Sequence, residues 1–134
     1  MPTDALLRLR DVMQETQAYG LERVREEQLE LGRQVRALLE RRGIRSVAAA
    51  GFQAPGVVVS YTDDPGIQNG SKFLALGLQT AAGVPLQCDE PAGFSTFRIG
   101  LFGLDKLHQP GRCVAQLAEA LDRIGITDPV APSA

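Results

Sequence analysis

The feature that most constrains this chain is the change of hydrophobic pattern at Gly43. Before Gly43, apolar residues recur at helical spacing in a highly charged background. After it, short β-branched runs alternate with turns that contain glycine and proline. Such a chain must cover a small sheet with helices, because each buries its apolar side against the other. With 134 residues, 44% of them apolar, it is expected to form one domain with its own core.

The charged N-terminal third predicts two helices, divided at Gly20. Thr3 or Asp4 is placed to cap the first helix, and Gly43 lies where the second one stops. The second helix has one apolar stripe, with Glu and Arg on its other face: Leu21, Val24, Leu31, Val35 and Leu38. The first helix has apolar residues on more than one side: Leu6, Leu7, Leu9, Val12 and Met13. Because one small domain covers only one side of a helix, part of this surface should be exposed or used in association.

The remainder of the chain predicts four strands and two further helices. The strands are expected at 46–50, 56–61, 84–88 and 96–101. One helix follows Asp63-Asp64-Pro65, carries Ile67, Phe73, Leu74 and Leu78, and ends at Gly83; the last helix runs from Pro110 to Ile124. This order predicts an α+β fold, a small and mostly antiparallel sheet covered by helices on one face and preceded by long N-terminal helices. Residues 1–126 would form the domain, and the Pro/Ala/Ser-rich segment 127–134 a disordered tail.

Charge and composition argue against several classes of function. The net charge is −2 with the two signs interspersed, so neither nucleic acid nor an acidic membrane is an expected partner. There is no apolar run of transmembrane length and no signal-peptide pattern at the N-terminus, which favours a cytoplasmic protein. Cys88 and Cys113 could pair, but free thiols are expected in a chain that is not secreted.

Few residues suggest chemistry on their own. The single histidine, His108, has no second histidine or cysteine at ligand spacing, so no metal site is expected. Asp63-Asp64 resembles a carboxylate pair, but the following proline favours helix capping. Lys72 follows a serine as some cofactor-binding lysines do, yet neither an acidic residue for the cofactor's ring nitrogen nor a phosphate cradle can be identified, and Lys72 is predicted to be a surface lysine.

Arg98 is the one residue whose context indicates a binding role. Strand alternation places Phe97 and Ile99 on the core face, so Arg98 projects from the other face between the small residues Thr96 and Gly100. This leaves space for a planar partner, and a guanidinium binds a carboxylate through two parallel hydrogen bonds. The strand alone does not separate such a role from that of an ordinary exposed arginine.

The stretch Phe97-Arg98-Ile99-Gly100-Leu101-Phe102-Gly103-Leu104-Asp105-Lys106-Leu107 resembles the C-terminal signature of class V aminotransferases of the alanine–glyoxylate and serine–pyruvate type. In that family an Arg-Ile-Gly strand precedes a glycine-containing loop and a final helix. The segment Met1–Arg10 is similar to the junction between the family's large and small domains, and the Arg/Glu-rich helix after Gly20 is similar too. The resemblance extends to about Ile124.

The resemblance implies that this chain is the substrate-binding small domain of a pyridoxal-phosphate-dependent enzyme. Arg98 would bind the α-carboxylate of an amino acid or a 2-oxo acid such as glyoxylate or pyruvate. Catalytic and cofactor-binding residues would belong to the large domain, absent from this chain, and the intact protein would be a homodimer. Two alternatives stay open: a free-standing ligand-binding or regulatory module, and a dimerisation module without catalysis.

Overall fold

The computed structural model describes residues 2–129 and has an α+β fold, as the sequence predicts. Two long helices come first, α1 (Thr3–Tyr19) and α2 (Leu21–Arg41), followed by β1 (Val57–Tyr61) and two single-turn helices, α3 (Pro65–Gln68) and α4 (Ser71–Leu74). The chain then forms β2 (Ala81–Ala82), β3 (Thr96–Gly100), the short α5 (Leu104–Leu107) and α6 (Pro110–Ile124).

The sheet has three antiparallel strands in the order β1-β3-β2, so β3 is central. Val58 pairs with Ile99 and Ser60 with Phe97 across the β1–β3 ladder, and these four residues are buried on one face. Helices α2 and α6 pack on this side and supply Leu31, Leu39 and Leu121, among others, to the same core. The sheet is therefore covered by helices on one face, as predicted.

The two-helix prediction for the N-terminal third is confirmed, with two corrections. Gly20 divides the helices at a φ of 106°, a backbone conformation that only glycine adopts readily. The predicted cap at Thr3 or Asp4 is wrong, because the N-cap position is Pro2 and no side chain accepts a capping hydrogen bond. In addition, the charged residues of α2 are not all exposed, since Arg36 is buried and donates hydrogen bonds to the carbonyls of Ala54 and Val57.

Arg36 shows why a charged residue can lie inside this fold. Its guanidinium holds the turn before β1 against α2, while burial lowers its pKa from the ordinary value. Gly32, one turn earlier, allows the close approach, because a Cβ there would lie 2.7 Å from the carbonyl oxygen of Pro55. Helix α2 and the start of β1 are thus joined by main-chain contacts that the apolar stripe does not reveal.

The strand predicted at 46–50 is reduced to an isolated bridge between Ser46 and Ser60. The Val47 amide donates to Val59 and the Tyr61 amide to Arg45, so the segment lies beside β1 without extending into a strand. The strand predicted at 56–61 is confirmed as β1, and that at 96–101 as β3, which ends at Gly100. Of the two strands predicted before residue 62, only the first is shorter than predicted.

The single helix predicted from Pro65 to Gly83 is wrong, because two short helices occupy only its first half. Asp64 caps α3, as predicted: its Oδ1 accepts from the amides of Gly66 (2.8 Å) and Ile67 (3.4 Å). The break falls at Gly70, whose φ of 80° is left-handed. After α4 the chain becomes extended and enters β2, so no helix reaches Gly83.

The strand predicted at Val84–Cys88 is also wrong. The pairing strand is β2, which lies before it, and residues 84–88 form a loop. Gln87 and Asp89 have φ values of 59° and 61°, outside the extended region that a strand requires. The Glu90 carboxylate accepts from the amides of Leu86, Gln87 and Cys88, so a side chain replaces the hydrogen bonds of a ladder.

Helix α1 confirms the prediction that its apolar surface is not covered within one chain. None of its residues is buried. The five side chains singled out from the sequence are between 46% and 62% exposed: Leu6, Leu7, Leu9, Val12 and Met13. The last helix and both cysteines also match expectation, since α6 begins at Pro110 and the thiols are free. Residues 130–134 of the predicted tail lie outside the described residues.

We expect Leu9→Gln and Met13→Gln to leave the stability of the chain nearly unchanged, within about 0.5 kcal/mol each, because neither side chain packs in the core. The same variants should bind less of a dye that fluoresces on apolar protein surfaces. Urea unfolding and dye titration measure the two effects. A loss of more than about 2 kcal/mol would show that α1 is covered in solution, which contradicts its exposure in one chain.

Candidate functional site on the sheet face opposite the core

Arg98 lies at the centre of the central strand, on the face that the helices do not cover. Its cross-strand partners are Val59 in β1 and Ala81 in β2. Its neighbours in sequence, Phe97 and Ile99, are 0% and 9% exposed in the core, whereas Arg98 is half-buried. We call the surface formed by Val57, Val59, Tyr61, Arg98 and Gly100 the Arg98 face. The predicted alternation is confirmed for Phe97, Arg98 and Ile99. Thr96, expected beside Arg98 on the open face, is instead buried, because the backbone at Gly83 lies against it.

The guanidinium of Arg98 is anchored at one end and free at the other. Its Nε donates a 3.0 Å hydrogen bond to the carbonyl oxygen of Ala82. Within residues 2–129, neither of its Nη atoms has a hydrogen-bond partner, and no carboxylate forms an ion pair with it. The two Nη groups remain able to bind both oxygens of one carboxylate end-on.

The contact between Arg98 and Ala82 depends on a close approach of two backbones. The Gly83 amide donates to the Thr96 carbonyl at 2.9 Å, next to the β2–β3 pairs. A Cβ at Gly83 would lie 1.9 Å from Thr96 Oγ1 and 2.3 Å from its carbonyl oxygen. Because Gly83 has no side chain, β2 can approach β3 closely enough for Ala82 to hold Arg98.

Aromatic residues border the Arg98 face at the end of β1. The ring of Tyr61 contacts Phe94 edge-on, with 5.7 Å between centroids, and the guanidinium of Arg45 lies 4.6 Å above the same ring. These three residues line a groove of about 670 Å³ together with part of the 86–95 loop. Sequence reasoning missed this group, because the three residues are far apart in the chain and belong to no local motif.

The loop between β2 and β3 forms a second concavity beside Thr96. This cavity of about 420 Å³ is lined by Gln68, Gly83, Val84, Glu90 and Phe94, among others. Hydrogen bonds from its own amide and from those of Cys88, Gln87 and Leu86 lower the pKa of Glu90. The Glu90 carboxylate is therefore ionised and holds the loop in its conformation, and both of its oxygens already accept hydrogen bonds from amides.

The two lysines do not fit the requirements of a covalent pyridoxal phosphate site. Lys72 is exposed, as predicted, and its ammonium pairs with the carboxylate of Asp64. The Nζ of Lys106 donates to the Phe102 carbonyl at 2.8 Å and lies 3.5 Å from Asp105. A lysine that binds the cofactor must be desolvated and able to lose its proton, and an acidic partner opposes that loss.

His108 lies beside the start of α6, as the sequence indicates, and is exposed. Its ring packs on Tyr19 with 4.7 Å between centroids. Tyr19 in turn donates to Glu27 at 2.6 Å, so the histidine belongs to a contact that joins α1 and α2. Across the described part of the chain, no group of three histidine, cysteine or acidic side chains could hold a metal ion.

No protein-family profile and no curated protein matches the sequence. The resemblance to class V aminotransferases therefore rests on the residues quoted for it, above all the stretch Phe97–Leu107. Between residues 2 and 129, no helix is both long and apolar enough to span a membrane. The site itself is a partly buried arginine with a free fork, set among small and apolar neighbours.

Proposed function

We propose that this chain is the substrate-binding small domain of a class V pyridoxal-phosphate-dependent aminotransferase. In this proposal Arg98 binds the α-carboxylate of a small amino acid or of a 2-oxo acid such as glyoxylate or pyruvate. The observation that carries the proposal is the free Nη fork of Arg98, which lies in the Arg-Ile-Gly strand that resembles the family signature. The enzyme would act in the cytoplasm, in keeping with its free cysteines.

The chemical contribution of this domain would be recognition and orientation. The hydrogen bond to the Ala82 carbonyl limits the positions that the guanidinium can take, so less freedom is lost when a carboxylate binds. Two parallel hydrogen bonds then fix the plane of the carboxylate and thus the position of the carbon that bears the amino group. A substrate held in this way is already oriented toward the reacting group, so less entropy is lost when the reaction begins.

The cofactor would be held outside this chain. Pyridoxal phosphate supplies the electron withdrawal for amino transfer, and its binding needs a lysine, an acidic partner for the ring nitrogen and a phosphate site. The ammonium groups of Lys72 and Lys106 are paired with acidic neighbours. We therefore propose that the cofactor lysine, its acidic partner and the phosphate site all belong to a large domain outside this chain. This domain is the first partner that the proposal requires.

The uncovered surface of α1 supports such a partner. The apolar residues of a helix ordinarily pack against another element, and α1 buries none of its residues within this chain. We propose that the large domain or a second subunit covers this surface, and that the intact enzyme is a homodimer. The same exposed residues also favour the rival function, a dimerisation module without catalysis.

The natural gene product tests the proposal against this rival. We expect a protein longer than 134 residues that contains pyridoxal phosphate and transfers an amino group to glyoxylate or pyruvate. Borohydride reduction followed by peptide mapping should locate the cofactor on a lysine outside this chain, and the isolated chain should retain no cofactor after dialysis. A cofactor-free gene product, or cofactor trapped on Lys72, would contradict the proposal.

A further inference from the structure

A cavity of about 200 Å³, which we call the α6 cavity, lies between the segment before β2, the end of β3 and helix α6. Polar residues, among them Gln79 and Gln116, form part of its lining. Its other wall belongs to the core, because the side chains there are only 1% to 9% exposed: Val35, Ile99, Leu101 and Leu117. The α6 cavity therefore reaches from the surface of the chain into its hydrophobic core.

The size and the core wall of the α6 cavity suit a small organic molecule better than water. Apolar cavities of about 150 Å³ bind benzene, whereas one water takes about 30 Å³ in the liquid. A water molecule in a cavity also needs two to four polar partners, and the aliphatic side chains of the core wall provide none. A molecule of about seven non-hydrogen atoms with a mostly apolar body fits this volume.

The charged residues of the lining, Asp105 and Lys106, have opposite signs and are neighbours. The Nζ of Lys106 lies 3.5 Å from Oδ2 of Asp105 and donates to the Phe102 carbonyl at 2.8 Å. Burial raises the pKa of the Cys113 thiol, which is therefore neutral at neutral pH. Because the two charges offset each other, an ion that enters the cavity would lose hydration without an equal gain. The lining therefore favours a neutral molecule.

The main chain of Gly100 adds hydrogen-bonding groups to the lining. The Leu101 amide donates to the Gly56 carbonyl at 2.9 Å, so residue 101 bonds toward β1. Successive residues of an antiparallel strand bond toward opposite sides, and the N–H and C=O of Gly100 therefore point away from β1. Strand β2 begins only at Ala81, and in the described part of the chain no backbone hydrogen bond joins Gly100 to Gln79, the residue opposite it in register. A donor and an acceptor thus remain available at this edge.

We propose that the α6 cavity binds a small neutral molecule with an apolar body and one hydroxyl or carbonyl group. The apolar body would lie against Ile99 and Leu117, and the polar group would bond to the main chain of Gly100. This site contains no residue of the proposed substrate site except Gly100, and it does not depend on aminotransferase activity. The ligand would join helix α6 to the central strand of the sheet.

Phenol, benzene and benzoate test the proposed ligand chemistry on the 134-residue chain. We expect phenol to bind one to one with a Kd of about 0.1–1 mM, as its seven non-hydrogen atoms give at ordinary ligand efficiencies. Benzene lacks the hydroxyl and should bind about 3- to 10-fold more weakly, because one hydrogen bond is lost. Benzoate is charged and should not bind measurably. Titration calorimetry gives the affinities, and phenol but not benzene should shift the amide resonance of Gly100.

The two thiols show where phenol binds. Cys113 lines the α6 cavity, whereas Cys88 is exposed on the loop between β2 and β3 and lies outside it. At ten times its Kd, phenol should slow the alkylation of Cys113 by iodoacetamide about tenfold, by mass action. The rate at Cys88 should not change. Mass spectrometry of the two cysteine peptides measures both rates in one sample.

Two larger side chains should close the α6 cavity. Cys113→Leu and Leu78→Phe enlarge lining residues on α6 and on the segment before β2, and each should weaken phenol binding about tenfold or more. Because they act from different walls, the effect can be measured on one variant if the other fails to fold. Cys88→Leu is the matched control, since it makes the same substitution outside the cavity, and it should bind phenol like the wild type.

Several outcomes would overturn the inference. Phenol binding that does not saturate, equal protection of Cys113 and Cys88, or unchanged phenol affinity in the folded cavity variants would exclude the site. Benzene that binds as tightly as phenol would exclude the hydrogen bond to Gly100, and tighter binding of benzoate would exclude a neutral ligand. None of these results bears on Arg98, so the proposed function stands or fails separately.

Discussion

Replacing Arg98 by alanine in the intact protein is expected to decrease kcat/KM by a factor between about 30 and a few thousand. The carboxylate that Arg98 binds would be left desolvated and unpaired in a closed site. Truncating one partner of a buried, hydrogen-bonded charge pair costs about 2–5 kcal/mol. At about 1.4 kcal/mol for each factor of ten, this gives the expected range. Steady-state kinetics with varied 2-oxo acid measure it.

Arg98→Lys should recover only part of this loss. An ammonium group carries the charge, but it cannot donate two parallel hydrogen bonds in the plane of a carboxylate. It also lacks the Nε–H that Arg98 donates to the Ala82 carbonyl, so its position on the strand is less restricted. Equal activity of the lysine and arginine forms would show that charge alone is needed, which contradicts an end-on fork.

Arg112→Ala is the matched control for both variants. Arg112 is an exposed arginine at the start of α6, and its hydrogen bond to Gln109 is long, at 3.4 Å. Its removal should leave kcat/KM unchanged. Cofactor content, read from the absorbance of bound pyridoxal phosphate, should stay at the wild-type value in all three variants. Loss of cofactor together with activity in Arg98→Ala would indicate a structural arginine instead.

The parts of the fold that follow from a periodic pattern could be predicted from the sequence. The helical spacing of α2 and α6 and the alternation in β3 each reflect one buried face, and all three elements were located correctly. Phe97 and Ile99 face the core because residues of a strand alternate between its faces, and the same rule placed Arg98 opposite them. These elements are long enough for their own pattern to decide the structure.

The region between β1 and β3 could not be predicted in the same way. A single residue at Gly70 in the left-handed region divides what the apolar spacing indicated as one helix. The pairing strand β2 has only two residues, both exposed alanines, which carry no recognisable pattern. Glu90 then fixes the following loop by hydrogen bonds to three amides, and this interaction has no periodic signature.

Only part of the candidate site could be predicted in this way. Arg98 could be singled out because its strand neighbours define its face. Its anchor is the carbonyl of Ala82, and every residue has a main-chain carbonyl, so no side-chain pattern reveals it. The aromatic border formed by Tyr61 and Phe94 depends on the β1–β3 register, which the sequence did not specify.

The core beneath Arg98 should be the most sensitive part of the fold. Phe97 is 0% exposed, and its ring stacks on that of Phe73 with 5.9 Å between centroids. Phe97→Ala is expected to destabilise the chain by about 3–5 kcal/mol, since it removes buried apolar surface and leaves a cavity in the central strand. Because domains of this size are stable by about 5–15 kcal/mol, the variant should lie near the limit of folding. Urea unfolding, followed by circular dichroism, measures the change.

Phe52→Ala is the matched control, because the ring of Phe52 is 86% exposed and its removal should change stability by no more than about 0.5 kcal/mol. Phe97→Leu should retain most of the stability, since leucine fills more of the space than alanine does. Because this milder variant should still fold, it tests whether Phe97 positions Arg98. If the core positions Arg98, Phe97→Leu should lower kcat/KM in the intact protein at temperatures where it is fully folded. Equal destabilisation by Phe97→Ala and Phe52→Ala would mean that the strand does not bury Phe97 in solution, and the placement of Arg98 opposite the core would then be wrong.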